Sequence, residues 1–237
     1  MTETASDILK ELKNLGDAAT KKMQINNGAK EPVFGVKAAD LKKIVKRVKK
    51  NHALALDLFA TGNSDAMYLA ALIADENEIS KSQLETWVNA AYWPWLCEFS
   101  VPWVAGESPF GFELAMEWIE SDLETVASSG WGILAYLPAI KPDADLDLAV
   151  FEALLKRVES HVHDDKNRVS HMMNAFVIAV GHYILPLSEQ AAATAKIIGK
   201  VEVDMGTTAC KVPLASLAIE KVAKRGATGK KRKSARA

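Results

Sequence analysis

The stretch from Tyr92 to Trp103 reads Tyr-Trp-Pro-Trp-Leu-Cys-Glu-Phe-Ser-Val-Pro-Trp, and it gathers several large aromatics around one carboxylate, Glu98. Pro94 suits the first turn of a helix, where its missing N–H removes no hydrogen bond. Trp95 and Glu98 stand three residues apart, so a helix puts them on one face. A carboxylate beside indole faces suits a cationic ligand. The carboxylate supplies charge, and Trp93 and Trp95 supply cation–π attraction. The same residues also fit a tryptophan-rich core with Glu98 at its edge, in a salt bridge or a cap. Residue types alone leave both readings open.

Few other residues invite chemistry. No Gly-rich phosphate loop ending in Lys-Ser/Thr, no G-x-S-x-G and no H-E-x-x-H occurs in the sequence. His161 and His163 stand beside Asp164 and Asp165, but an i, i+2 spacing at a helix end is not a usual ligand spacing. A polar loop is expected there, and neither a metal nor a cofactor. Cys97 and Cys210 are too few and too far apart for a disulfide framework or a zinc site. Cys210 has no histidine close in sequence and reads as a buried small residue, not a nucleophile. With no apolar leader and no run of roughly 18 uncharged apolar residues, a cytoplasmic protein without a membrane span is the expectation.

The formal net charge of −1 hides a segregation. Residues 1–50 hold 12 Lys/Arg against 6 Asp/Glu, a balance of +6. Residues 51–210 hold 8 against 23, or −15, and residues 211–237 hold 9 against 1, or +8. The N-terminal excess is densest where Lys37, Lys42, Lys43, Lys46, Arg47, Lys49 and Lys50 face only Asp40. The C-terminal excess ends in a dense run of Lys230, Lys231, Arg232, Lys233 and Arg236. Basic runs at both ends of an acidic chain are a signature of nucleic acid or another anionic surface.

The elements that must position these residues read as helices nearly throughout. In Ala38–Val48 the apolar residues Leu41, Ile44, Val45 and Val48 recur at i, i+3, i+4 and i+7, which leaves the lysines on the opposite face. Residues 7–15 form a first helix stopped by Gly16, and Asp17 caps a second. Asn63 caps a run through Ala74, and Ser80 opens another. Further helices are expected over 146–158, 169–183, Ser188–Ile198 and 212–225, with 169–183 central because it is apolar nearly all round. Only Val201-Glu202-Val203 alternates like a strand. Ten or more short helices joined by short loops suggest an all-α solenoid of HEAT-like or armadillo-like repeats, with a helical bundle as the alternative. One domain over residues 1–225 and a flexible basic tail over 226–237 are expected.

The runs Val33-Phe-Gly-Val-Lys37-Ala-Ala-Asp-Leu41-Lys-Lys and Ala60-Thr-Gly-Asn63-Ser-Asp65-Ala66, with Ile73-Ala-Asp75, resemble the AlkD-type DNA alkylation repair family over most of residues 5–225. The stretch 203–213, with its Ala209-Cys210-Lys211-Val212-Pro213, resembles a divergent branch of it. The resemblance implies a HEAT-like solenoid with a concave, basic DNA-binding cleft. It implies that active members are glycosylases that excise cationic N7- and N3-alkylated purines without extruding the damaged base. Glu98 then takes the place of the family's catalytic aspartate, and Pro94 the place of a tryptophan, with Trp93 and Trp95 on either side. A second family tryptophan falls near Phe176. The family's arginine should lie near 126–129, where this chain has Val126, Ala127, Ser128 and Ser129. Arg168 is the nearest candidate to compensate.

Two functions follow from these expectations. In one, Glu98 stabilises the sugar cation formed as a glycosidic bond breaks, while Trp93, Trp95 and Phe176 line the site. Lys37, Lys42, Lys43, Lys46, Arg47, Arg168, Lys230, Lys231, Arg232 and Lys233 then hold phosphates of alkylated double-stranded DNA. In the other, a non-catalytic solenoid binds nucleic acid by shape and charge, which the absent arginine and displaced tryptophan favour. A protein-binding solenoid is a third possibility. A monomer is expected in each case.

Overall fold

The computed structural model describes residues 3–207 and 210–236. Ala209 of the motif above and Ala237 of the tail lie outside the described residues. Thirteen α-helices and no strand occur among the described residues. Val201 is buried, but Val201-Glu202-Val203 pairs with no other strand and only begins the link to the last helix.

Short polar caps set the N-terminal boundaries. Thr4 and Asp7 form a reciprocal capping box on α1 (Ala5–Leu15), and Asp17 caps α2 (Ala18–Asn26). The lysine-rich α3 is Ala38–Val48, as its period predicts. Asn51 caps α4 (His52–Ala60), Asn63 caps α5 (Ser64–Ile73), and Ser80 with Gln83 boxes α6 (Lys81–Ala90). A π-helical turn, Trp95–Ser100, runs directly into α7 (Val101–Glu107). Then come α8 (Gly111–Trp118), α9 (Glu124–Ile140), α10 (Leu148–His161), α11 (Asn167–Tyr183), α12 (Ser188–Ile198) and α13 (Ala215–Lys224).

Packing arranges these helices in two layers. Helices α5, α7, α9, α11 and α13 contact one another in chain order. Against them lie α4 on α5, α6 on α7 and α9, α8 on α9, and α10 and α12 on α11. Neighbour-on-neighbour stacking of helix pairs is the solenoid the sequence indicated. One buried core runs through it from Ile8 in α1 to Ile219 in α13. The two 17-residue helices, α9 and α11, form its centre. A glycine on each lets its outer neighbour come close: a Cβ on Gly132 of α9 would stand 3.1 Å from Pro102 of α7, and one on Gly181 of α11 would stand 2.5 Å from Ile219 of α13.

The residues that carried the family resemblance build a latch. Asp65, at the start of α5, is buried, and its carboxylate accepts hydrogen bonds from Phe34 N (2.7 Å), Gly35 N (3.1 Å), Val36 N (2.9 Å) and Gln24 Nε2 (3.1 Å). Gly35 has φ +81°, and a Cβ there would lie 2.4 Å from the Lys21 backbone nitrogen. Only glycine fits that conformation and that approach. The motif therefore ties α2 and the 33–37 loop to the start of α5.

Candidate nucleic-acid interface

The site grows from the π-turn. Pro94 precedes it, and the wider turn is closed by the bond from Val101 N to Leu96 O. Ser100 Oγ donates to Trp95 O at 2.7 Å, and Ser129 Oγ donates to Cys97 O at 2.6 Å. Ser129 occupies the region where the family's arginine was expected, and it serves a backbone carbonyl of the turn. π-turns inserted in helices are frequent at functional sites because they re-aim side chains.

What the turn aims is Glu98. Its side chain is fully buried, and Arg168 from the first turn of α11 grips it with two bonds. Arg168 Nε donates to Oε1 at 2.5 Å, and Nη2 donates to Oε2 at 2.6 Å. His171 Nδ1 lies 3.2 Å from the same Oε2. Arg168 is itself held: its backbone N–H donates to Glu124 Oε1 at 2.7 Å, and its Nη1 contacts Met205 Sδ at 3.2 Å. A bidentate, charge-assisted pair in a dry setting is strong and orientation-specific. Arg168, the sequence candidate to compensate for the missing arginine, is thus held in an ion pair with the carboxylate itself.

A cavity of about 160 Å³ opens beside this pair, lined by Pro94, Trp95, Glu98, Phe99, Arg168 and His171, with Asn27, Met205 and Cys210 facing them. Trp95 is flanked by Trp93 (ring centroids 5.3 Å apart, stacked) and Tyr68 (5.6 Å). A second cavity of about 200 Å³ shares Phe99 and His171 with the first. It continues along Tyr136, Ala175 and His182 to Arg232. The two meet at Phe99 and His171 and make one trough that runs from the π-turn along α11, with α9 bordering its second half. Burial pushes the Cys97 thiol up to about 12 and raises the Tyr136 hydroxyl as well. Neither group ionises near neutral pH.

Several sequence expectations need correction here. Phe176 is fully buried in the core, stacked on Phe151 and edge-on to Trp131, and lines neither cavity. It stands five residues from His171, about 140° around the helix. Trp93 is buried behind Trp95 and does not line the cavity. Cys210 is exposed, not buried.

The basic positions divide. Lys37 pairs with Asp17 at 3.5 Å, Lys43 with Asp40 at 2.8 Å, and Arg47 with Glu3 and Glu11 at 3.0 and 2.5 Å. Lys42 and Lys46 are exposed and make no ion pair among the described residues. No residue of α3 lines the trough. Arg168 is held by Glu98 and presents no open cation. The segment expected to be a flexible tail lies against the body of the protein: Lys231 reaches Asp143 at 2.6 Å, and Arg236 reaches Glu76 at 2.9 Å and Glu107 at 3.1 Å. Lys230, Arg232 and Lys233 remain exposed.

Sequence reasoning missed His171, Tyr136 and Met205. His171 could have been found, because it follows Arg168 by three residues and so shares its helix face. Tyr136 and Met205 left no local signal.

Comparison with known proteins fits this architecture. Residues 8–196 match the family model described as DNA alkylation repair enzyme. The uncharacterized protein Lin0241 of Listeria innocua is 36% identical over 222 residues, covering 91% of this chain and 95% of the relative. Lmo0209 of Listeria monocytogenes is 37% identical over the same length, with the same coverage. A solved structure with 36% identity superposes with a TM-score of 0.90 over 98% of each chain. It is described as a new family of proteins related to the HEAT-like repeat DNA glycosylases with affinity for branched DNA structures.

Proposed function

Because the chain belongs to the DNA alkylation repair enzyme family, we propose that it binds DNA along the trough over α9 and α11, recognises branched DNA by shape and charge, and does not excise bases. One observation carries this reading: both oxygens of Glu98 are engaged by Arg168, with His171 alongside. A carboxylate that is to stabilise a sugar cation must turn its negative charge toward C1′. Here a guanidinium fixed by Glu124 and Met205 already neutralises that charge. Freeing Glu98 would strand a buried charge, which costs several kcal/mol. The absence of an arginine over 126–129 and the burial of Trp93 and Phe176 support the same conclusion. The likeness to a protein with affinity for branched DNA supports the substrate class.

One observation favours excision instead: Glu98 and Trp95 do share a cavity. Incubation with N-methylated DNA separates the two readings. No 7-methylguanine is released by wild-type protein if the carboxylate is locked. Release that disappears in Glu98→Gln would make the protein a glycosylase.

A further inference from the structure

The C-terminal segment 229–236 runs along one edge of the layer formed by α5, α7, α9 and α11, and visits the C-terminal ends of all four helices. Gly229 N donates to His182 O at 2.8 Å. Lys231 Nζ donates to Tyr183 O at the end of α11 (2.7 Å), to Pro138 O in the last turn of α9 (2.9 Å) and to Asp143 Oδ1 (2.6 Å). Arg232 N donates to Ala139 O at 2.6 Å. Ser234 Oγ and Ala235 N donate to Glu107 at the end of α7, at 2.5 and 2.7 Å. Arg236 closes the run on Ala74 O at the end of α5 (2.8 Å) and on Glu76 (2.9 Å). Ala235 is buried beneath it.

This edge is negative without the segment. The last carbonyls of each helix carry the negative end of its dipole, and cations there are stabilising. Asp143, Glu107 and Glu76 add three carboxylates, of which Lys50 offsets only Glu76, at 2.5 Å. A phosphate backbone approaching that edge would be repelled. The segment brings five cations, Lys230, Lys231, Arg232, Lys233 and Arg236. Lys231 and Arg236 are consumed on the carbonyls and carboxylates. Lys230, Arg232 and Lys233 stay exposed, and Arg232 lines the far end of the trough that begins at Trp95 and Glu98.

We propose that this segment is a charge-inverting strap: Lys231 and Arg236 fasten it to the helix ends, Arg232 makes the phosphate-contacting wall at the far end of the DNA trough, and Lys233 extends the positive edge on the strap's other side, beside Lys50 and Lys141. The proposal rests on the DNA-binding reading above and adds to it a division of labour among the strap's cations. Arg232 and Trp95 lie at opposite ends of the two cavities, which meet at Phe99 and His171. Charge complementarity selects DNA phosphate as the occupant.

The test is a fluorescence-anisotropy titration of a labelled four-way DNA junction across a salt series. It compares the full-length wild type, Arg232→Ala/Lys233→Ala, and Lys156→Ala as a control on the α10 surface. Removing both cations should weaken binding about tenfold or more and reduce the slope of log K against log salt by about 1.8. The melting temperature should hold, because both side chains are exposed. Lys156→Ala should bind like wild type. Lys231→Met should lower the melting temperature and weaken binding together, because it unfastens the strap. Wild-type binding with an unchanged slope in the double variant would overturn the strap and leave the DNA reading standing. A wild type that binds neither junction nor duplex would overturn both.

Discussion

The buried pair of Glu98 and Arg168 decides the chemistry at the scale of single residues. A buried ion pair is expensive to break from one side, because the remaining charge is stranded. Glu98→Gln and Arg168→Met should each lower the unfolding free energy by about 3 kcal/mol, read by urea denaturation. The double variant should lose clearly less than the sum, since the two act as one unit. Additive losses would show that the pair is not coupled. Cys97 offers a second check. With its thiol pushed up to about 12 by burial, it should react with a thiol reagent at neutral pH only after unfolding. Glu98, Trp95 and Arg168 were all legible in the sequence as a carboxylate, an indole and a spare cation. Their pairing was not, because 70 residues separate Glu98 from Arg168. Phe176 was misplaced for a related reason. Chain position gave its helix, but only the packing of α11 between α9 and α13 decided which face looked into the trough.

Individual elements owe their placement to a few polar contacts. The Asp65 latch holds three consecutive backbone N–H groups, so Asp65→Ala leaves buried donors unpaired at about 1–3 kcal/mol each. Gly35→Ala forces a Cβ into the Lys21 backbone at a left-handed position and should cost at least about 2 kcal/mol. Thermal melts of both variants check these losses, and a melting temperature within a degree of wild type for either would contradict the latch. Helices with a polar cap or a clean stripe, such as α1, α3, α5 and α6, were legible in the sequence. The stretch holding α7, α8 and α9 was not placed, and physical reasons explain this. None of the three has a side-chain cap, and α9 is buried on nearly every face, so neither boundary nor period stood out. The strap was hidden for another reason. Its partners are helix-end carbonyls and carboxylates 47 to 162 residues away, and a basic composition by itself reads as a solvated tail.

Across the whole molecule, segregated charge explains how a chain with net charge −1 can attract a polyanion. Part of the basic N-terminal run is neutralised where it lies, by Glu3, Glu11, Asp17 and Asp40. The strap brings Arg232 to the edge of the trough, so in the proposed function the field that a DNA backbone meets is local and does not follow the sum. Binding through phosphate contacts must then weaken steeply with salt. In the proposed function this field, with the trough it borders, reads DNA shape. The most direct measurement is the affinity of the wild-type protein for a four-way junction against a linear duplex of the same arm sequence, at one fixed salt concentration near 150 mM. Tighter binding to the junction by about tenfold, or ~1.4 kcal/mol, is expected. Equal affinity for the two, or preference for the linear duplex, would contradict it.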